Sequence, residues 1–326
     1  MISQAKLRDL TNLELKSIRD GFGEGFTALG NQRAEIVGLS ADLTESLRMT
    51  EFERQHPERF FQTGICEQNM AGVAAGLALS GKIAYIGSFA TFSPGRNFDQ
   101  IRISICMMNA NVKIVSSHAG FSYGEDGMTV HMLEDVAMMR ALPNMKVVIP
   151  ADYTQAMQAA VEIADIPGPV YLRVGRGTTP NLFDEEDTFE FGKLQMVRAG
   201  TDLTIFANGY LVFRALLAAD VLAKNGIDAQ VINVHTVKPL DQEGILEAVA
   251  RTRAVVTAEE SQVNGGLGGA IAEVLVKNDP VPVEMVAVMD QFGQTGTSLD
   301  LHKSRHLMED DIVKAAIRVF SRKHGK

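Results

Sequence analysis

The chain has no tryptophan, two cysteines and 10 prolines in 326 residues, and aromatic residues make up 6%. Two cysteines, Cys66 and Cys106, are too few for a disulfide framework, and neither sits in a Cys-x-x-Cys pair. The first sixteen residues, MISQAKLRDLTNLELK, are polar and have no apolar signal core. The most apolar run, AGVAAGLALS at 71–80, falls far short of the ~20 residues that cross a membrane. These absences point to a cytoplasmic protein with no membrane role. Positive charge is also scarce: 31 Lys and Arg stand against 40 Asp and Glu, for a formal charge of −9. No basic stripe is present, so nucleic acid is excluded as a partner, and an anionic ligand would need a few placed cations. There is no P-loop or HExxH.

What remains is an ordinary globular composition, 46% apolar and 22% charged, long enough for about two domains. Short β-rich apolar runs alternate with longer helical patterns, the signature of α/β architecture with parallel sheets. Strands are predicted at 35–40, 82–88, 111–117, 145–151 and 169–174, with helices at 13–30, 67–80, 96–109, 132–141 and 152–165. Residues 175–192 lose the apolar period, gather Gly, Pro and acids, and read as a linker. A second block follows, with strands at 203–208, 228–234, 253–259 and 282–288 and helices at 210–224, 241–250, 266–277 and 309–321. The expected organisation is two three-layer domains, 1–190 and 191–326.

Polar residues collect after the strands of the first block, at SADLTES (40–46), SFATF (88–92), SSHAGFSYGEDGMTVH (116–131) and RVGRG (173–177). Open parallel sheets bind ligands at that edge. Other signals are weaker. The GGLGG run at 265–269 reads as a tight turn with close helix–sheet packing rather than a phosphate cradle. His302 and His306, four residues apart, read as a solvated basic face, and the pairs Met107–Met108 and Met138–Met139 as core packing.

The segments GICEQNMAGVAAGLALSG (64–81), SFATF (88–92), GEDGMT (124–129) and ALPNMKVVIPAD (141–152) resemble the pyrimidine-binding domain of transketolases. VKPLD (237–241), TAEESQVNGGLGGAIAEVL (257–275) and DQFGQTG (290–296) resemble the transketolase C-terminal domain. The resemblance implies thiamine diphosphate as cofactor, held with Mg²⁺ (or Ca²⁺) mainly by another chain, since the GDG motif of a diphosphate-binding domain is missing. It therefore implies the C-terminal subunit of a split transketolase, working with an N-terminal subunit in a heterotetramer on sugar phosphates. Such an enzyme transfers a two-carbon ketol unit from a ketose phosphate to an aldose. A deoxyxylulose-phosphate-synthase-like or 2-oxo acid dehydrogenase beta-like subunit, or a non-catalytic assembly partner, are the alternatives.

Residue by residue, the resemblance makes Glu67 the acid at the aminopyrimidine ring nitrogen and Phe89 and Phe92 the aromatic walls of that ring. Asp42 and Leu43 fall beside the thiazolium. Arg19, Ser46, His118 and Arg176 match the holders of the sugar's terminal phosphate, and Asp126 a reader of a sugar hydroxyl. The family usually has a substrate-touching His where this chain has Val130; either the loop shifts to present His131, one residue on, to the substrate, or the donor differs from the usual ketose phosphates. Gly95 stands where a Tyr is common, and Ser261 where a His is common.

Overall fold

The computed structural model describes residues 2–325. The first block builds a seven-stranded sheet whose strands run, from one edge, Thr236–Lys238, Lys146–Val148, Val170–Arg173, Val112–Ser117, Ile83–Phe89, Ile36–Ser40 and Phe60–Gln62. All neighbours are parallel except the pair at the first edge. Four central strands, at 36–40, 83–89, 112–117 and 170–173, are buried along their whole length, as expected of a parallel sheet covered on both faces. The second sheet has six strands in the order Ser3–Gln4, Gln195–Arg198, Ala229–Asn233, Leu203–Ala207, Val255–Gln262 and Val283–Val288. The two sheets exchange edges. Thr236–Lys238 belongs to the later half of the chain yet pairs with Lys146–Val148, and Ser3–Gln4 pairs with Gln195–Met196.

Helix placement in the first block depends on close approach. A Cβ on Gly21 would lie 2.1 Å from the Tyr153 carbonyl oxygen, and one on Gly25 would lie 2.3 Å from that of Met157. Glycine at these positions lets helix Ile18–Gln32 press onto helix Tyr153–Glu162. Phe22, Phe26 and Phe52 stack beneath, with centroids 5.6 and 4.3 Å apart. The helix is thereby fixed with Arg19 in its first turn.

A buried charge cluster ties the halves together. Arg173 donates to Asp135 at 2.7 Å and to the Glu260 carbonyl at 3.0 Å. Tyr171 donates to the same Asp135 carboxylate, and Glu260 accepts from the Phe121 backbone N–H at 2.8 Å. His302 lies 3.0 Å from Glu260. Burial pushes the His302 imidazole down, but the Glu260 carboxylate outweighs it and raises the value above the usual range.

Several sequence expectations need correction. The 175–192 stretch is no loose linker: Thr178–Pro180 pairs with Leu15–Ser17, and Leu182, Phe183 and Phe189 are buried. Helix 13–30 starts only at Ile18, after that strand. His302 is buried rather than solvated. Met107 and Met108 are 67% and 57% exposed, whereas Met139 is buried. In the 96–109 region an α-helical turn, Phe98–Gln100, passes into a π-helical stretch, Ile101–Met107, which turns the two methionines outward.

Candidate active site at the sheet edge

Four adjacent strands deliver their C-terminal ends to one place, and the loops that follow carry the polar residues. After Ile36–Ser40 the chain turns through Asp42 and Arg48; after Val112–Ser117 it turns at His118. All three have positive φ, at +60°, +59° and +57°. Left-handed backbone costs a non-glycine residue of order 1 kcal/mol or more and gathers at functional sites.

Glu67 opens helix Glu67–Leu79 with its carboxylate 2% exposed. Arg96 Nη1 donates to both carboxylate oxygens, at 3.0 and 2.9 Å. The backbone beneath is tied in as well, because Asn97 Nδ2 donates to the Glu67 carbonyl at 3.1 Å. Phe89 and Phe92 stack with centroids 5.9 Å apart and planes 24° from parallel. Arg96 also lies over Phe92, its guanidinium carbon 4.5 Å from the ring centre.

On the other side of Phe89 the site becomes cationic. The Phe89 and His118 rings are 3.8 Å apart, and Tyr123 stands edge-on to both. Arg176 lies 5.7 Å over Tyr123. Arg19 donates from Nη1 to the Ser46 carbonyl at 2.8 Å, and its buried Nε has no partner among the described residues. Arg48 is held by Asp20 at 2.5 Å. Burial and the neighbouring Arg48 and Arg176 push the Arg19 guanidinium down from its ordinary value. His118 is pushed down to about 3 by burial first and then by Arg19, Arg176 and Arg48. Three guanidiniums beside a neutral imidazole suit a tetrahedral oxyanion. His118 is therefore expected to stay neutral: its ring resonances should not titrate between about pH 5 and 8, measured by NMR on histidine-labelled protein. Because the unfolded imidazole binds the proton more readily, this group removes stability as pH falls from about 6.5 towards about 3.

Leu43 packs with Phe92 and Tyr123 on the same apolar cluster, and its backbone N–H donates to Ser40 Oγ at 3.1 Å. Asp42 is exposed, its backbone N–H held by Gln62 at 2.7 Å. Asp126 is exposed beside Tyr123, and with burial its hydrogen bond raises the Tyr123 phenol. His131 lies apart: it is buried, edge-on to Phe121, with Nε2 2.9 Å from the Gly124 carbonyl. A Cβ on Gly293 would come within 2.3 Å of its Nδ1, so the ring is wedged between the 120–127 loop and the C-terminal half. The Gly-rich turn at 265–269 is filled by the protein's own carboxylate, Glu259, which accepts from the N–H groups of Leu267 and Gly268 at 2.7 and 2.8 Å.

Arg48, Arg96 and Tyr123 escaped sequence reasoning. Arg48 follows Ser46 by two residues and Arg96 follows Phe92 by four, so proximity to the chosen residues was the available signal. Among the described residues no group of three or more His, Cys, Asp or Glu could hold a metal ion, and no helix is long and apolar enough to cross a membrane.

A parallel-sheet domain with this edge, followed by a second α/β domain, matches two family models in order: the transketolase pyrimidine binding domain over residues 15–181 and the transketolase C-terminal domain over residues 192–312. The chain belongs to the transketolase family, a family of transferases. It is 42% identical to the 6-deoxy-6-sulfo-D-fructose transketolase subunit SqwH of Clostridium sp. (strain MSTE9), over 96% of this chain and 97% of that one. It is 36% identical to an apulose-4-phosphate transketolase subunit of Phocaeicola vulgatus, over 92% and 96%. Among solved structures it is similar to a split gene transketolase described as an inactive beta4 tetramer, with a TM-score of 0.89, 42% identity and coverage of 94% and 99%.

Proposed function

We propose that this chain is the C-terminal subunit of a two-chain, cytoplasmic transketolase that moves a two-carbon ketol unit from a ketose with a terminal anion to an aldose acceptor. The observation that carries this reading is the edge itself: a buried carboxylate and a stacked aromatic pair adjoin an arginine-lined anion site across the ring of Phe89. The residues fit the aminopyrimidine of thiamine diphosphate. Phe89 and Phe92 offer flat apolar faces to a heteroaromatic ring, and Glu67 offers a carboxyl to a ring nitrogen. When bound, thiamine diphosphate supplies the electron sink for breaking and making the C–C bond. Mg²⁺ (or Ca²⁺) and the diphosphate fall mainly to the N-terminal subunit.

Within the chain's own share of the work, Glu67 holds or releases a proton at the ring nitrogen. Arg19, Arg48 and Arg176 grip the donor's terminal anion with Ser46 and neutral His118. That grip fixes how far the sugar's other end reaches towards the cofactor. Asp42 and Leu43 border the reacting end, and Asp126 is placed for a sugar hydroxyl. His131 serves as a prop for the loop that carries Asp126 rather than as a direct contact. The relatives' names include a sulfonated and a phosphorylated sugar, so phosphate and sulfonate donors both belong in the screen.

A partner surface accompanies the site. Ile65, Val73, Leu79, Ile103, Met107 and Met108 are exposed around helix Glu67–Leu79 and the adjoining π-helical stretch. Contiguous apolar exposure of this kind marks an interface, and the partner subunit is the occupant that completes a heterotetramer. The test is reconstitution. The chain alone, with thiamine diphosphate and Mg²⁺, should self-associate without turning over ketose phosphate; adding the N-terminal subunit should restore ketol transfer. Turnover by the isolated chain would refute the subunit reading.

A further inference from the structure

The ion pair between Arg96 and Glu67 has an asymmetry that the transfer reaction does not require. Glu67 is 2% exposed, while the Arg96 side chain is 45% exposed. The backbone around Arg96 is pinned: its N–H donates to the Phe92 carbonyl at 3.0 Å, and Asn97 next to it holds both the Glu67 carbonyl and Ser93 Oγ. The guanidinium can therefore swing into water without disturbing the helix start. In place, it does two things at once. It takes both oxygens of the carboxylate, and it covers Phe92 from 4.5 Å.

We propose that Arg96 is a displaceable counter-ion, a placeholder that keeps Glu67 charge-paired and Phe92 covered until the cofactor's aminopyrimidine takes over both contacts. This rests on the reading of Glu67 given above. A buried carboxylate without a partner is costly, so the free subunit needs a cation there. A guanidinium never gives up its proton at ordinary pH. With Nη1 set between the two oxygens, the guanidinium holds the place from which a ring nitrogen would meet the carboxyl, and the nitrogen must displace it to share a proton there. The ring and the guanidinium also compete for the Phe92 surface. Cofactor binding thus includes breaking this pair, and the part of the population with Arg96 in place is not competent to bind. An ion pair whose cation is half in water is weak, so the arginine can act as a plug that still yields.

The experiment is calorimetric titration of the reconstituted two-chain complex with thiamine diphosphate at saturating Mg²⁺. Arg96→Ala should tighten the Kd on the order of fivefold, with Arg96→Lys between it and the natural chain. Arg96→Gln, which keeps a stem on Phe92, carries the same expectation should the alanine variant fold poorly. Without cofactor, Arg96→Ala should lower Tm, because Glu67 has lost its counter-ion. In a Glu67→Gln background the arginine has no carboxylate to withhold, and its removal should leave most of the Kd unchanged. An unchanged or weaker Kd in Arg96→Ala overturns the placeholder, since an arginine with a merely structural role would loosen the site when removed. If the natural complex binds no thiamine diphosphate, the functional reading itself falls, and this inference with it.

Discussion

Replacing Glu67 by Gln is expected to lower kcat of the reconstituted complex by about 10²- to 10⁴-fold, with a much smaller change in KM for the sugar donor. The amide has nearly the same shape, and the bond from Asn97 goes to the Glu67 backbone carbonyl, so the start of helix Glu67–Leu79 has no reason to move. What is lost is a group able to exchange a proton at a ring nitrogen from a position only 2% exposed. Steady-state kinetics with both subunits, alongside a circular-dichroism spectrum, separates chemistry from misfolding. Full activity in this variant would favour a subunit that serves assembly alone.

The second large effect is expected at Arg19. Arg19→Ala should raise KM for a ketose bearing a terminal phosphate or sulfonate by about 100-fold, since charge-assisted hydrogen bonds contribute ~1.5–3 kcal/mol each. Turnover of hydroxypyruvate, which has no distant anion to hold, should persist. The reason is specific to the geometry: one arm of Arg19 is anchored on the Ser46 carbonyl, while its buried Nε has no protein partner among the described residues. Arg48→Ala should cost less, because Asp20 already neutralises part of that charge. Equal losses with both donors would show that Arg19 supports the fold rather than the anion.

Much of the fold could be read from periodicity, because a parallel sheet buried on both faces leaves short, nearly continuous apolar runs. The strand predicted at 111–117 is observed at Val112–Ser117, and the helix predicted at 67–80 at Glu67–Leu79. The misses share a physical cause. Thr178–Pro180 and Thr236–Lys238 are three-residue strands whose partners lie far away in sequence, so no local period marks them. His302 looked like half of a solvated pair because nothing local reveals Glu260 beside it. Met107 and Met108 have the hydrophobicity of core residues, and sequence cannot distinguish a residue buried in its own chain from one that faces outward. At the site, resemblance supplied Glu67, Phe89, Phe92 and the cations at 19 and 176, and these converge on one sheet edge. Arg48 and Tyr123 reach the same edge through a left-handed turn and a loop of short helical turns, which residue type alone does not predict.

The crossing of strands between the two sheets bears on how substrates come and go. A two-domain enzyme commonly opens by a rigid-body swing about a single connecting segment. Here such a swing would have to peel Thr236–Lys238 away from Lys146–Val148 and Ser3–Gln4 away from Gln195–Met196, and also unseat the charges around Arg173. The halves are clasped at two separate seams. On the proposed reading of the sheet edge, entry and exit there depend on smaller moving parts: the side chain of Arg96, the 118–131 loop, or the fit against a neighbouring subunit.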